Sequence, residues 1–203
     1  MTKEEEILKA AEEEFFSNGY DATSTANIAQ RAGVTHAMVN YYFRTKEKLF
    51  IRILDDHVYE LLHSLKPVMQ ADGNVIRVAT DAAGIIFDKL NQDRRFPFLL
   101  SDISRNHPDF LLRYKETFDT VCKDSLEMHR LRLEKCIRNA QARECTMNDI
   151  YNTVLTLATS PFLNIPVLSN VCGMDDSAID EYLNARRREM ILILQARYSV
   201  NEK

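Results

Sequence analysis

Between Arg31 and Arg52 the chain sets five basic residues, Arg31, Arg44, Lys46, Lys48 and Arg52, against one acid, Glu47. Inside that run lies THAMVNYYF, residues 35–43, whose only ionisable side chains are one His and two Tyr. Projected at about 100° per residue, Val39 and Phe43 fall on one side of a helix. Ala37, Asn40 and Tyr41 fall on the other, with His36 at the exposed N-terminal end. An ordinary surface helix would show Lys and Glu there. A small residue, an amide and an aromatic instead suit close approach to base edges and thymine methyls. The cations around them are what phosphate neutralisation requires. The chemistry predicted is non-covalent recognition of duplex DNA.

A second cluster, His57, Glu60 and His63, is spaced three apart and so shares one helical face. Glu60 to His63 matches the Glu-x-x-His unit of di-iron bundles, but those need two copies and further Glu residues, and only one copy is present. A solvated face is the better reading, and neither a metal nor another cofactor is expected. No Gly-rich phosphate loop, G-x-S-x-G or paired-carboxylate pattern occurs, so the chain is not read as an enzyme.

The bulk numbers constrain these readings. At 203 residues, 45% hydrophobic and 28% charged, the chain suits one or two compact globular domains. A net charge of −4 gives no general attraction to nucleic acid, so any such contact must come from a local patch. Gly and Pro number five each, too few for the turns of a strand-rich fold. The acidic opening MTKEEEILKAAEEEFF is not a secretion signal, and no apolar run approaches the roughly 18 residues of a membrane span. Cys122, Cys136, Cys145 and Cys172 form no C-x-x-C pair, which fits reduced thiols and a cytoplasmic location.

The elements that must position the reading face follow from caps and periodicity. Thr2 to Glu5 fits a capping box, Ile7, Leu8, Ala11 and Phe15 recur at helical spacing, and Asn18-Gly19 stops this first helix. A second helix begins after Ser24 and turns Ile28, Ala29 and Ala32 inward. Gly33 ends it, Thr35 caps a short third helix reaching Phe43, and Thr45 caps a fourth. Ala29, Gly33 and Val39 supply what a helix-turn-helix needs: a small residue, a tight turn and an aliphatic holding the second helix down. Beyond Lys66-Pro67, amphipathic segments are expected at about 74–91, 95–105, 109–143, 147–159 and 176–198, with breaks at Asp72-Gly73, His107-Pro108 and Ser160-Pro161. The fold class is all-α.

Gly19-Tyr20, Thr23-Ser24, Ile28-Ala29, Ala32-Gly33-Val34, Tyr42-Phe43, Lys46-Glu47 and Leu49 together resemble the TetR family of bacterial transcriptional regulators, over roughly residues 5–50. The resemblance implies a three-helix helix-turn-helix DNA-binding domain at 1–48, followed by a larger helical ligand-binding and dimerisation bundle at 49–203. It implies a homodimer that places two recognition helices on a palindromic double-stranded operator, acts as a repressor, and is released by a small, largely apolar effector. On that reading Thr23, Ser24 and Thr25 lie near phosphate, His36, Ala37, Met38, Asn40 and Tyr41 enter the groove, and Thr35, the cap of the third helix, is counted with the DNA-binding residues. Tyr42 and Lys46 grip the backbone. Asn40 stands where the family frequently has Tyr, and Ala26 where several members carry Arg, so the operator is not readable from relatives.

The effector is expected among the aromatic helices after residue 67, with Phe87, Tyr114, Phe118 and Cys122 as candidate lining and Arg113, Ser101 and His107 as polar groups. Plain core packing is the competing reading for each apolar residue. Tyr151 and Leu155 on one stripe, and Leu183, Met190 and Leu194 on another, are candidates for the dimer interface, against an intramolecular core. The rival functions are a helical protein-interaction module and a metal-binding helical bundle, neither of which would bind DNA.

Overall fold

The computed structural model describes residues 2–200, apart from the side chains of residues 118–124. Phe118 and Cys122 therefore lie outside the described residues. Among the described residues the chain forms helices joined by short turns, with one isolated bridge between Ala142 and Ser199 and no strand. No described helix is long and apolar enough to cross a membrane.

Two compact units divide the chain. The first holds α1 (Lys3–Ala22), α2 (Thr25–Arg31), α3 (His36–Phe43), the start of α4 (Lys46–Met69), α6 (Phe96–Asn106) and α7 (Pro108–Leu112). The boundary expected at residue 48 falls inside α4, and this unit extends to Glu60 and takes in Arg95–Tyr114. The addition follows from packing: Phe16 stacks on Phe96, and Phe110 lies against Phe50 and Tyr20.

The predicted caps form. Thr2 accepts from the Glu5 amide at 3.2 Å while the Glu5 carboxylate accepts from the Thr2 amide at 2.8 Å. Helix α1 does not stop at Asn18-Gly19. Gly19 takes φ 78, ψ 172 and the chain resumes a helical turn to Ala22. That backbone region is essentially confined to glycine, and an added Cβ would meet an Asp102 carboxylate oxygen at 3.2 Å.

The second unit holds the end of α4, α5 (Val75–Gln92), α8 (Lys115–Arg138), α9 (Met147–Leu163), α10 (Ile165–Asn170) and α11 (Asp176–Tyr198). The expected segment 109–143 is thus two helices, and α9 runs through Pro161 to Leu163. Pro161 and Phe162 are both buried, so apolar packing outweighs the ladder bond a mid-helix proline forfeits. Helix α5 is buried along most of its length and packs against α9 and α11. Leu183, Met190 and Leu194, expected at a dimer interface, are 1%, 2% and 0% exposed within this single chain. They are core residues of the unit, which corrects that assignment. Leu155 is half-buried and Tyr151 remains exposed.

Replacing Gly19 by Ala is expected to cost about 1–3 kcal/mol, because Ala must hold a backbone region only glycine adopts readily. Urea unfolding checks this; an unchanged midpoint would refute the strained geometry.

Candidate nucleic-acid interface

Helices α2 and α3 are held by caps and a small apolar core. The Ser24 hydroxyl accepts from the Asn27 amide at 3.1 Å, and Thr35 accepts from the Met38 amide at 3.3 Å. Gly33, at φ 63, turns the chain between them, and the Val34 amide closes the turn on the Ala29 carbonyl at 3.0 Å. Ile28, Ala29, Val39 and Phe43 are buried, as the helical projection requires.

The opposite face of α3 is open. His36, Ala37 and Asn40 are exposed, Met38 is half-buried, and Tyr41 is 75% exposed with its ring edge-on to the partly exposed Tyr42. His36 ties α3 to α2, with Nε2 2.8 Å from the Thr25 hydroxyl, while the Asn40 amide lies 3.5 Å from Nδ1. These polar groups meet one another only at the rim of the face, so their remaining hydrogen-bonding capacity faces solvent.

Two expected phosphate ligands are placed otherwise. Thr23 is 2% exposed and donates its hydroxyl to the Glu14 and Gly19 carbonyls at 3.1 and 2.8 Å. It closes the end of α1, so its hydroxyl does not reach a surface ligand. The Lys46 ammonium donates to the Tyr20 and Thr23 carbonyls at 3.0 and 3.2 Å and sits 4.2 Å from the centre of the Tyr20 ring. It is a tie between α4 and α1 before it is anything else. The last turn of α1 carries no basic residue, so Lys46 supplies the cation that terminal carbonyls favour.

Other cations of the basic run are also engaged. Arg31 pairs at 2.6 Å with the buried Glu14, which accepts from Asn18 as well, and Arg52 pairs with Asp56 one turn on. Arg44 and Lys48 have no ion pair among the described residues. Sequence reasoning placed both in the basic run without assigning them a contact, because pairing partners distant in sequence could not be seen. Arg44 is also strained: its φ is 64 and ψ −52, and the Thr45 amide donates to the Phe43 carbonyl at 2.7 Å. This is a tight γ-turn with positive φ, a conformation side-chain-bearing residues rarely hold.

Of the expected effector residues, the two described ones, Phe87 and Tyr114, belong to different units. Phe87 is buried against Phe162, with ring centroids 4.9 Å apart, and does not line the cavity described below. Tyr114 belongs to the first unit, where its hydroxyl donates to Asp55 at 2.6 Å. Burial, then that bond, pushes its phenol up. Arg113 also reaches Asp55, and His107 pairs with Asp21. An apolar cavity of about 90 Å³ lies instead inside the second unit, among α4, α5, α8 and α9. Leu65, Met69, Val78, Ile86, His129 and Val154 are in its wall. Leu126, His129 and Leu133, spaced as one helical face, were the sequence signal that α8 turns a histidine inward.

Of the weighed metal cluster, His57 pairs with Glu12 at 2.5 Å and stacks on Phe96. Among the described residues no three His, Cys, Asp or Glu side chains are grouped to hold a metal ion.

Residues 7–53 match the sequence model of a family described as bacterial regulatory proteins, tetR family. That stretch is similar to the DNA-binding segment of the TetR family. It is 26% identical over 138 residues to the HTH-type transcriptional activator FasR of Mycolicibacterium smegmatis, across 63% of this chain and 63% of FasR. It is 40% identical over 55 residues to the HTH-type transcriptional regulator QacR of Staphylococcus aureus, across 27% of this chain and 29% of QacR. The matches thus span less than two thirds of either relative. The fold is similar to that of the fatty acid degradation regulator FadR from Bacillus halodurans, with a TM-score of 0.61 at 17% identity, covering 94% of this chain and 97% of that one. The 7–53 match contains the whole of the helix-turn-helix formed by α2 and α3.

Lys46→Met is expected to lower stability by about 1–2 kcal/mol, since it strips donors from two helix-end carbonyls. Chemical unfolding measures it, and a stability equal to the wild type would show that the tie is dispensable. At Arg44, the Gly variant is expected to be about 1–2 kcal/mol more stable than the Ala variant, because only Ala must bear the positive φ. Equal stabilities in the same measurement would rule out the strained turn.

Proposed function

We propose that this chain is a ligand-responsive transcriptional regulator of the TetR family that binds a palindromic DNA operator as a homodimer. The observation that carries the reading is the open face of α3. Ala37, Asn40 and Tyr41 lie in solvent, where charged residues would be ordinary, and Arg44 follows directly on the same helix end. Asn40 is suited to adenine and Ala37 to a thymine methyl. Ser24, Thr25, Thr35 and Tyr42 are assigned to the rim, where short hydroxyls and a phenol would meet phosphate oxygens. Arg44 and Lys48 are assigned as the phosphate cations, in place of Lys46.

Dimerisation is supported by apolar surface left on the second unit. Leu163, Val167, Val171, Leu192 and Ile193 are exposed large hydrophobics on or beside α9, α10 and α11. A two-fold pairing through such a face would present two reading heads, which need centres about 34–36 Å apart, or a multiple, to occupy successive major grooves. FasR is described as an activator, so the proposal concerns operator occupancy and leaves the sign of regulation to the promoter. The effector is taken to enter the apolar cavity of the second unit. Helix α4 is the route of coupling, carrying Lys46 in its first turn and Leu65 and Met69 in its last ones. A ligand shifts such an equilibrium only through its differential affinity for the two states.

The test uses duplexes selected from a random pool by the purified protein. Binding should fall steeply with salt. Asn40→Ala and Tyr41→Ala should change the preferred sequence, each by about 1–3 kcal/mol at the affected base pair. Lys48→Ala should weaken all duplexes alike and flatten the salt slope by about one. Uniform losses from Asn40→Ala and Tyr41→Ala would remove their role as reading residues, and no salt-dependent binding at all would remove the function.

A further inference from the structure

His129 is 1% exposed on α8 and stands in the wall of the second unit's cavity. Its Nε2 lies 2.8 Å from the Met69 carbonyl oxygen. A carbonyl only accepts, so Nε2 carries a hydrogen and the neutral ring leaves Nδ1 as a bare acceptor. Nδ1 is buried without a hydrogen-bond partner among the described residues. Nearly all buried polar groups in native proteins are satisfied, so an orphan of this kind points to a missing partner.

Protonating the ring does not resolve the vacancy. Burial first, and the nearby Arg132 charge as well, hold the imidazole below its ordinary range, against the opposing effect of the Met69 bond. Water is a poor partner too, because a buried water needs two to four polar neighbours. The rest of the wall is Leu, Val, Ala and Ile side chains, two methionines and Tyr151, with no Lys, Arg, Asp or Glu. No cation is there to hold a carboxylate or phosphate, and no acid to hold an amine.

We infer that His129 anchors a ligand in this cavity, and that the ligand is a neutral, largely apolar molecule carrying one hydrogen-bond donor, a hydroxyl or N–H, which it gives to Nδ1. The remainder of the molecule lies along the aliphatic side chains of α5 and α9. Calling this ligand the effector rests on the regulatory reading above; the binding itself does not, and is measured without DNA.

The experiment titrates the full-length protein at neutral pH by calorimetry with linear alcohols from hexanol to dodecanol, their methyl ethers, and the matching carboxylates. An alcohol should bind about tenfold more tightly than its ether, the worth of one hydrogen bond in a dry site, and more tightly than its carboxylate. In ¹⁵N spectra, His129 Nδ1 should shift with the alcohol and stay in place with the ether. In His129→Phe the alcohol and ether should become equal, while Met147→Phe, which fills the cavity and spares the imidazole, should lose both. Should His129→Phe fail to fold, the alcohol–ether comparison and the Nδ1 shift on the native protein decide alone. Equal affinity for alcohol and ether, a preference for the carboxylate, or no binding in any series would overturn the anchor. Alcohols that bind with the hydroxyl preference but leave affinity for selected duplexes unchanged would overturn the effector role instead.

Discussion

The first unit depends on how the end of α1 is closed. A helix leaves its last carbonyls unpaired, and here the last turn brings no cation of its own. Thr23 folds back onto the Glu14 and Gly19 carbonyls, and Lys46 crosses from the start of α4 to those of Tyr20 and Thr23. The same lysine lies over the Tyr20 ring. One side chain thus satisfies α1, fixes where α4 begins, and encloses the chain between them, which is α2 and α3. Glu14 completes the arrangement by holding Arg31 at the end of α2.

That closure explains why a reading face can stay bare. The ties made by Thr23, Lys46 and Arg31 use none of Ala37, Asn40 and Tyr41, and the apolar contacts of α3 use Val39 and Phe43. The positive charges divide as well: Arg31, Lys46 and Arg52 are engaged within the protein, while Arg44 and Lys48 have no ion pair among the described residues. On the proposed reading a net charge of −4 is no obstacle, because two locally placed cations act at short range where the bulk charge is screened.

Much of this was legible in the sequence, and the parts that were not share a cause. Caps and periodicities are local, so Thr2, Ser24, Thr35, Gly33 and the Val39–Phe43 side were readable from their neighbours. Partners far along the chain were not. Thr23 and Lys46 looked like surface ligands because the carbonyls they serve are backbone atoms without a sequence signature. Leu183, Met190 and Leu194 form a correct stripe, but a stripe does not say whether its complement is α5 and α9 of the same chain or a second copy. Phe87 and Tyr114 were chosen by type, and an aromatic is as useful to a core as to a ligand. His129 was passed over for the opposite reason: one histidine on an apolar face is usually a satisfied core group, and only its unpaired Nδ1 marks it out.

In the proposed complex, duplex DNA covers the outer face of α3. Hydroxyl-radical footprinting of the protein, free and bound to a selected duplex, reads that face directly through Tyr41, which is 75% exposed in the free chain. Tyr41 and His36 are expected to be strongly protected on binding, with exposed Leu112 of the same unit reacting as before. Tyr41 and His36 that stay as reactive on DNA as in free solution would contradict it.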